Sequence, residues 1–298
     1  MQIANAPCSW GILEFGLEGK TDQYNKVLDE MSSTGYRGTE LGDWGFFPTD
    51  PEELKNELQS RELNLVGAFV PINFVNPADY EKGLQLALKT ARLLADVDQE
   101  NARIVLSDDN GKNPVRTRNA GRIQEEHGLT TAQWKTFTKG VDYVARKILE
   151  ETGVASVFHH HCAGYVETAM EIEIFLSMTD PELVGLCFDT GHYAFGGGDP
   201  LEGLKAHNDR ISHVHFKDWD HNIARKSEEN GWDYFKSVEN GVFCELGKGT
   251  IDFKEILEEL NRQQYSDWIV VEQDILPGMG TPKESARRNR DYLRSIGV

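Results

Sequence analysis

The sequence lacks any long hydrophobic run. No stretch approaches the roughly 20 consecutive apolar residues of a membrane helix, so a spanning protein is excluded and no membrane partner is expected. The first residues, MQIANAPCSW, lack the basic and apolar regions of a secretory signal, so a cytoplasmic protein is expected. Cysteine is scarce. Cys8, Cys162, Cys187 and Cys244 are far apart and form no CxxC pair, which argues for reduced thiols and against a disulfide or zinc framework. Basic charge is also short, with 31 Lys and Arg against 49 Asp and Glu and a net charge of −18. Non-specific nucleic-acid binding depends on neutralising phosphates with Lys and Arg, so nucleic acid is not an expected partner. No G-x-G-x-x-G follows the first candidate strand, and that counts against a dinucleotide fold.

What is there is an alternation. Short apolar or β-branched runs precede longer amphipathic stretches. The candidate strands are Gln2–Ala6, Gly38–Leu41, Leu63–Val70, Ala102–Leu106, Ala155–His161, Leu183–Asp189, Ile211–Lys217 and Trp268–Glu272. Helical patterns fill the intervals: Tyr24–Ser33, Pro51–Ser60, Ala78–Leu94, Thr131–Glu151, Glu167–Met178, Leu201–Asn208, Asp252–Gln263 and Lys283–Ile296. Strand alternating with helix implies a parallel sheet with right-handed crossovers. Eight units of about 37 residues each suit a single α/β domain over residues 1–298, a (β/α)8 TIM barrel. A doubly wound open sheet is the competing architecture. Two segments read as loops, Ser107–Gly128 and Asp218–Gly249. Arg116 and Arg118 in the first are expected on a solvated loop over the barrel mouth, with an anion contact as the alternative.

A barrel makes a statement about chemistry, because polar residues at C-terminal strand ends converge on one mouth. Strand alternation puts His213, His215 and Lys217 on one face, opposite Val214 and Phe216. Such a set is costly to bury as plain core. Asp189 ends the sixth candidate strand, with His192 three residues on, and Glu272 ends the eighth. A lone carboxylate there is ordinarily a cap or a solvated residue. Asp, Glu and His together suit a divalent cation such as Mn2+ or Co2+, with Mg2+ or Zn2+ as alternatives. The His159-His160-His161 run supplies a further ligand and is expected to divide into one ligand, one substrate contact and one structural residue. Trp10, Trp44 and Phe69 are candidate pocket walls for which simple packing is the commoner reading.

The motifs FDTGH, HVHFKD and VVEQD, in that order, resemble those of the xylose isomerase-like TIM-barrel superfamily of sugar isomerases and epimerases. APCSWG, GYRGTELGDWGFFPTDP, LVGAFVP and FHHHCAGYVET are most similar to inosose dehydratases within it. The resemblance implies a cation held by residues from strands 5 to 8, here Asp189, His215, Glu272 and, in place of the usual Glu, His159 or His161. It implies an enzyme whose substrate is a small polyol or sugar, with a homo-oligomer compatible but undecided. The reaction it implies is proton loss next to a ketone, an enediolate, and departure of a β-hydroxyl as water. Candidates for acid and base are His192, Lys217, Glu272 and Glu40. Substrate contacts are expected from Trp10, Glu40, His161, His192 and Lys217. A metal-dependent isomerase or epimerase is the alternative. An abasic-site endonuclease would need a basic groove, and a non-catalytic sugar-binding protein would share the fold alone.

Overall fold

The computed structural model describes residues 1–12, 23–274 and 280–298. Its centre is a closed barrel of eight parallel strands. These are β1 (Gln2–Asn5), β2 (Gly38–Glu40), β3 (Asn64–Ile72), β4 (Arg103–Asp108), β5 (Ala155–His159), β6 (Val184–Asp189), β7 (Ile211–Phe216) and, last in the chain, Trp268–Val271. Between β7 and that last strand lie two short strands, β8 (Asp218–Trp219) and β9 (Phe243–Cys244), so the eighth barrel strand is β10. Hydrogen bonding runs in the order β1, β10, β7, β6, β5, β4, β3, β2, and the β1–β10 pair, Asn5 opposite Val271, closes the ring. The barrel expected from the unit count is the architecture found, and the open sheet is not.

Strand parity sorts the side chains into two cores. Leu186, Phe188, Val214, Phe216, Ile269 and Val271 join the large apolar layer between barrel and helices. The opposite parity points inward. Ala4, Val66, Trp268 and Val270 fill one part of the interior, and Val105, Val157 and Cys187 another, with Phe69 against them. Continuing the inward parity toward the C-terminal ends gives His159 after Val157, Asp189 after Cys187, and Glu272 after Val270. The interior thus passes from apolar filling to a polar layer at one end, the end where such barrels carry their sites.

All eight anticipated helices are present, with ends shifted by a few residues. Their starts follow from local chemistry. Asp50 accepts the Glu53 N–H ahead of Pro51, Asp252 accepts from Lys254 and Glu255, and Thr130 and Thr168 form capping boxes with Gln133 and Glu171. No helix among the described residues is long and apolar enough to cross a membrane.

The two segments expected as loops carry structure. Pro114–Asn119 is a short helix capped by Asn113, and the second segment holds the helices His221–Asn230 and Tyr234–Glu239 between β8 and β9, which pair antiparallel. This insertion has its own small core. Tyr234, Val238, Val242 and Phe243 pack with Ala120, Cys162, Ala163 and Phe195. It therefore rests on the loops that follow β4, β5 and β6, over the mouth. Arg116 is not on a solvated loop. It is fully buried, its Nη1 and Nη2 donate to Glu171 Oε1 and Oε2 at 2.7 and 2.8 Å, and its Nε donates to the Gly164 carbonyl. The protein's own carboxylate occupies its fork, so no free anion site exists there. Arg118 is exposed.

Candidate metal centre and active site

Four side chains from four strand ends meet inside the mouth. One ligand atom each of His159, Asp189, His215 and Glu272 lies within 4.8 Å of every other. His159 Nε2 is 3.6 Å from Asp189 Oδ2, His215 Nδ1 is 3.8 Å from the same oxygen, and His215 Nδ1 is 3.4 Å from Glu272 Oε2. Two atoms that each sit ~2.2 Å from one ion are at most about 4.4 Å apart, so a small contraction would gather the quartet on a cation.

The hydrogen-bond accounting tests whether a cation fits. Asp189 Oδ2, His215 Nδ1 and both ring nitrogens of His159 are buried with no hydrogen-bond partner. Each such group costs about 1–3 kcal/mol when left unsatisfied. All of them belong to the quartet, and one divalent ion would satisfy Asp189 Oδ2, His215 Nδ1 and the Nε2 of His159, leaving His159 Nδ1 without a hydrogen-bond partner. The residues present therefore fit a metal. Imidazole and carboxylate donors without a thiolate belong to the chemistry of catalytic rather than closed structural sites.

Asp189 shows how the local fold aims the set. It is the N-cap of the short helix Thr190–Phe195, and its Oδ1 accepts the His192 N–H at 2.7 Å. The cap fixes the carboxylate and leaves Oδ2 turned to the quartet. His160, of opposite parity to His159, accepts the Asp189 N–H on Nε2 at 3.1 Å and packs against Phe188 and Tyr193. It is the structural member of the triplet. His161 is not gathered into the quartet. Its ring lies 3.8 Å from that of His192, and its Nε2 is 3.4 Å from the Tyr234 hydroxyl.

Lys217 and His192 stand beside the quartet. Lys217 Nζ is 3.2 Å from Glu272 Oε2, 3.4 Å from Asp274 Oδ2 and 3.5 Å from His192 Nε2, with the Phe243 ring 5.0 Å away. Burial opposes the charge on Lys217, but Asp274, Glu272 and Asp189 outweigh it and hold the ammonium well above its ordinary range. Burial, reinforced by His161 and Lys217, holds His192 well below its own and keeps it neutral. The same cause pulls His161 down to about 3. Lys217 therefore starts protonated and His192 starts neutral, the states from which an acid donates and a base accepts.

Two sequence expectations land elsewhere. Trp10 does not wall the pocket. It is buried in the outer apolar core, and its indole N–H donates to Glu30 Oε2 on the helix Tyr24–Thr34. Glu40 lies among the strands, 3% exposed, and its Oε1 accepts from both His213 Nε2 and His215 Nε2. It meets the back of a quartet member rather than the open mouth, so direct substrate contact is not what its position offers. Phe69 lies edge-on to His159, whereas Trp44 is half-buried under the Lys89 ammonium. Sequence reasoning passed over Asp274, Tyr234, Phe243 and Cys187. Inward parity from Glu272 marks Asp274 and from Asp189 marks Cys187. Tyr234 and Phe243 arrive with the insertion and leave no local signal.

A model of the xylose isomerase-like TIM barrel family matches residues 28–296. The chain belongs to that family. Family members similar over nearly their whole length include inosose dehydratases. That of Lacticaseibacillus casei is 31% identical, over 98% of this chain and 96% of its own. That of Geobacillus kaustophilus is 32% identical, over 98% and 93%. Among solved structures, the probable 3-DHS dehydratase AsbF of Bacillus anthracis superposes with a TM-score of 0.72 at 14% identity, covering 99% of both chains. The IolI protein with a bound zinc atom superposes at 0.69 and 16% identity, covering 99% of this chain and 98% of its own.

Proposed function

We propose that the chain is a divalent-metal-dependent carbon–oxygen lyase that dehydrates an inosose, a cyclic keto-polyol. The observation that carries this reading is the His159, Asp189, His215, Glu272 quartet, three of them buried and with unsatisfied ligand atoms, beside Lys217 and His192. The full-length similarity to inosose dehydratases supplies the substrate class.

The quartet would hold the cation, and the bound cation would supply Lewis-acid polarisation of the substrate ketone. The protein's own residues do the proton work. His192 is the base: its neutral imidazole receives the proton from the carbon next to the ketone. The electron pair left behind forms a carbon–carbon double bond as the bond to the β-hydroxyl breaks. Lys217 Nζ gives the proton that lets the hydroxyl leave as water. Hydrogen and hydroxyl leave neighbouring carbons, and His192 Nε2 and Lys217 Nζ are themselves neighbours. Asp274 and Glu272 hold the ammonium in place. Tyr234 packs against His161, and Phe243 packs against His192 and Lys217.

Two imidazoles among four donors favour Mn2+, Co2+ or Zn2+ over Mg2+, which prefers oxygen. An epimerase that relies on two opposed metal-bound carboxylates as proton carriers is less well served here, because β5 contributes His159. Incubation of the Mn2+- or Co2+-loaded protein with 2-keto-myo-inositol tests the choice. The expected product absorbs as an α-diketone, whereas a reversible change of the sugar without water loss would make the protein an epimerase.

Lys217→Met and His192→Gln separate proton transfer from metal binding. Each is expected to lower kcat by roughly 10²- to 10⁴-fold, the usual worth of a positioned acid or base, while metal content by elemental analysis stays at the parent level. Near-parental kcat in either variant would remove that residue from the chemistry.

A further inference from the structure

Glu40 sits in an arrangement that neither packing nor substrate contact accounts for. Its carboxylate is buried deep in the barrel, where an ionised group is costly unless it is paired. The chain brings it there by an irregularity. Along the β2–β3 pair, Thr39 lies opposite Leu65 but Glu40 lies opposite Gly67, so β3 carries one extra residue at that step. Such a bulge re-aims the side chain beside it. Glu40 then reaches β7, which is not its neighbour in the barrel, and accepts His213 Nε2–H at 2.8 Å and His215 Nε2–H at 3.0 Å on one oxygen.

The space for this reach comes from Gly67. A Cβ there would lie 3.0 Å from Glu40 Oε1, closer than ordinary contact, and 3.4 Å from Val105 Cγ2. The φ of Gly67 is not in the left-handed region, so what distinguishes the glycine here is the close approach of Glu40 and not backbone conformation.

His215 has two ring nitrogens with distinct surroundings. Nε2 is committed to Glu40, while Nδ1, buried and without a hydrogen-bond partner, faces Asp189 and Glu272. A carboxylate on the far nitrogen of a ligating histidine fixes its tautomer, aligns its ring and raises its basicity. We propose that Glu40 is a positioning residue for the cation: it locks His215 with Nδ1 presented to the quartet, His213 braces the carboxylate from the layer beneath, and Gly67 keeps the space open. This rests on the quartet being the metal site.

Co2+ binding to the full-length apo-protein tests it, with affinity read by chelator competition, ligand geometry by the visible absorption of the bound ion, and folding by urea denaturation. Glu40→Gln retains the shape and loses the charge. Gly67→Ala retains the carboxylate and crowds it. Glu40→Gln is expected to weaken Co2+ about 10- to 100-fold, the usual effect of losing such a partner, Gly67→Ala to weaken it less, and both to alter the cobalt spectrum. At saturating metal, kcat is expected to recover further in Gly67→Ala than in Glu40→Gln. Parental affinity and spectrum in a folded Glu40→Gln protein would overturn the inference, as would lost stability with unchanged affinity. Two Co2+ per parental chain falling to one in Glu40→Gln would also overturn it, because Glu40, His213 and His215 would then be a cation site themselves. A parental protein that takes up no Co2+ overturns the metal reading, and this inference with it.

Discussion

Asp189→Ala and Glu272→Ala proteins are expected to purify without their divalent cation and to lose dehydration by at least about a thousandfold, since a cation at a carbonyl oxygen is worth several kcal/mol of charge stabilisation. The two losses differ in kind. Glu272→Ala removes a quartet oxygen and one of the carboxylates on Lys217, leaving Asp274 to hold the ammonium. Asp189→Ala removes the oxygen that faces His159 and His215 together with the cap of the helix Thr190–Phe195. A lost cap costs ~1 kcal/mol, so that variant is also expected to be less stable. Asp189→Asn separates the effects, because its amide oxygen still accepts the His192 N–H while the charge is gone. Elemental analysis with circular dichroism checks the set. A folded Asp189→Asn protein that retains the parental cation would show that the quartet is not the metal site.

How much of this was legible in the sequence follows from which forces are local. Parity is local. His213, His215 and Lys217 share a face because side chains alternate along a strand, and His159 parts from His160 for the same reason. The strand ends and helix caps are local too, so the barrel could be drawn from Asp50-Pro51, Asp252 and the apolar runs. Asn113-Pro114 carries the same cap-and-proline signature as Asp50-Pro51, and its helix was hidden by its shortness and the polar residues around it. What parity cannot supply is a bulge. The slip between Thr39 and Glu40 depends on β3, and without it Glu40 reads as one more carboxylate at a strand end. Trp10 illustrates a different limit. A tryptophan after β1 is equally able to face the mouth or the helices, and Glu30, twenty residues on, decides which. Arg116 and Glu171 are 55 residues apart, and nothing near either announces the other.

That Arg116–Glu171 pair yields the largest stability effect expected here. Glu171→Ala leaves a fully buried guanidinium without its bidentate partner, and breaking one side of such a pair costs about 3–5 kcal/mol. Glu171 Oε2 also accepts the Glu167 and Thr168 N–H groups, so its removal frees the start of the helix Ala169–Met178 as well. One feature moderates the loss. Glu167 Oε2 lies 4.0 Å from Arg116 Nη2 and is placed to take over. Its carboxyl is raised to about 7, mainly by burial, and the neighbouring guanidinium works against that rise. Closer engagement with Arg116 would favour its ionised form. Glu171→Ala is therefore expected at the low end of the range, about 3 kcal/mol by urea denaturation, and removal of Glu167 as well should cost more than the sum of the two single changes. The consequence reaches the active site through the loop after β5. Arg116 Nε holds the Gly164 carbonyl and Glu167 Oε2 accepts the Ala163 N–H, where Ala163 is kept in a left-handed conformation at φ 66°. Cys162 and His161, just before it, pack on His192. Loosening this loop should lower kcat by misplacing His192 while leaving the cation bound, since none of the quartet lies in the loop. A destabilisation below about 1 kcal/mol, the level of an exposed pair, would mean that Arg116 and Glu171 are not joined as described.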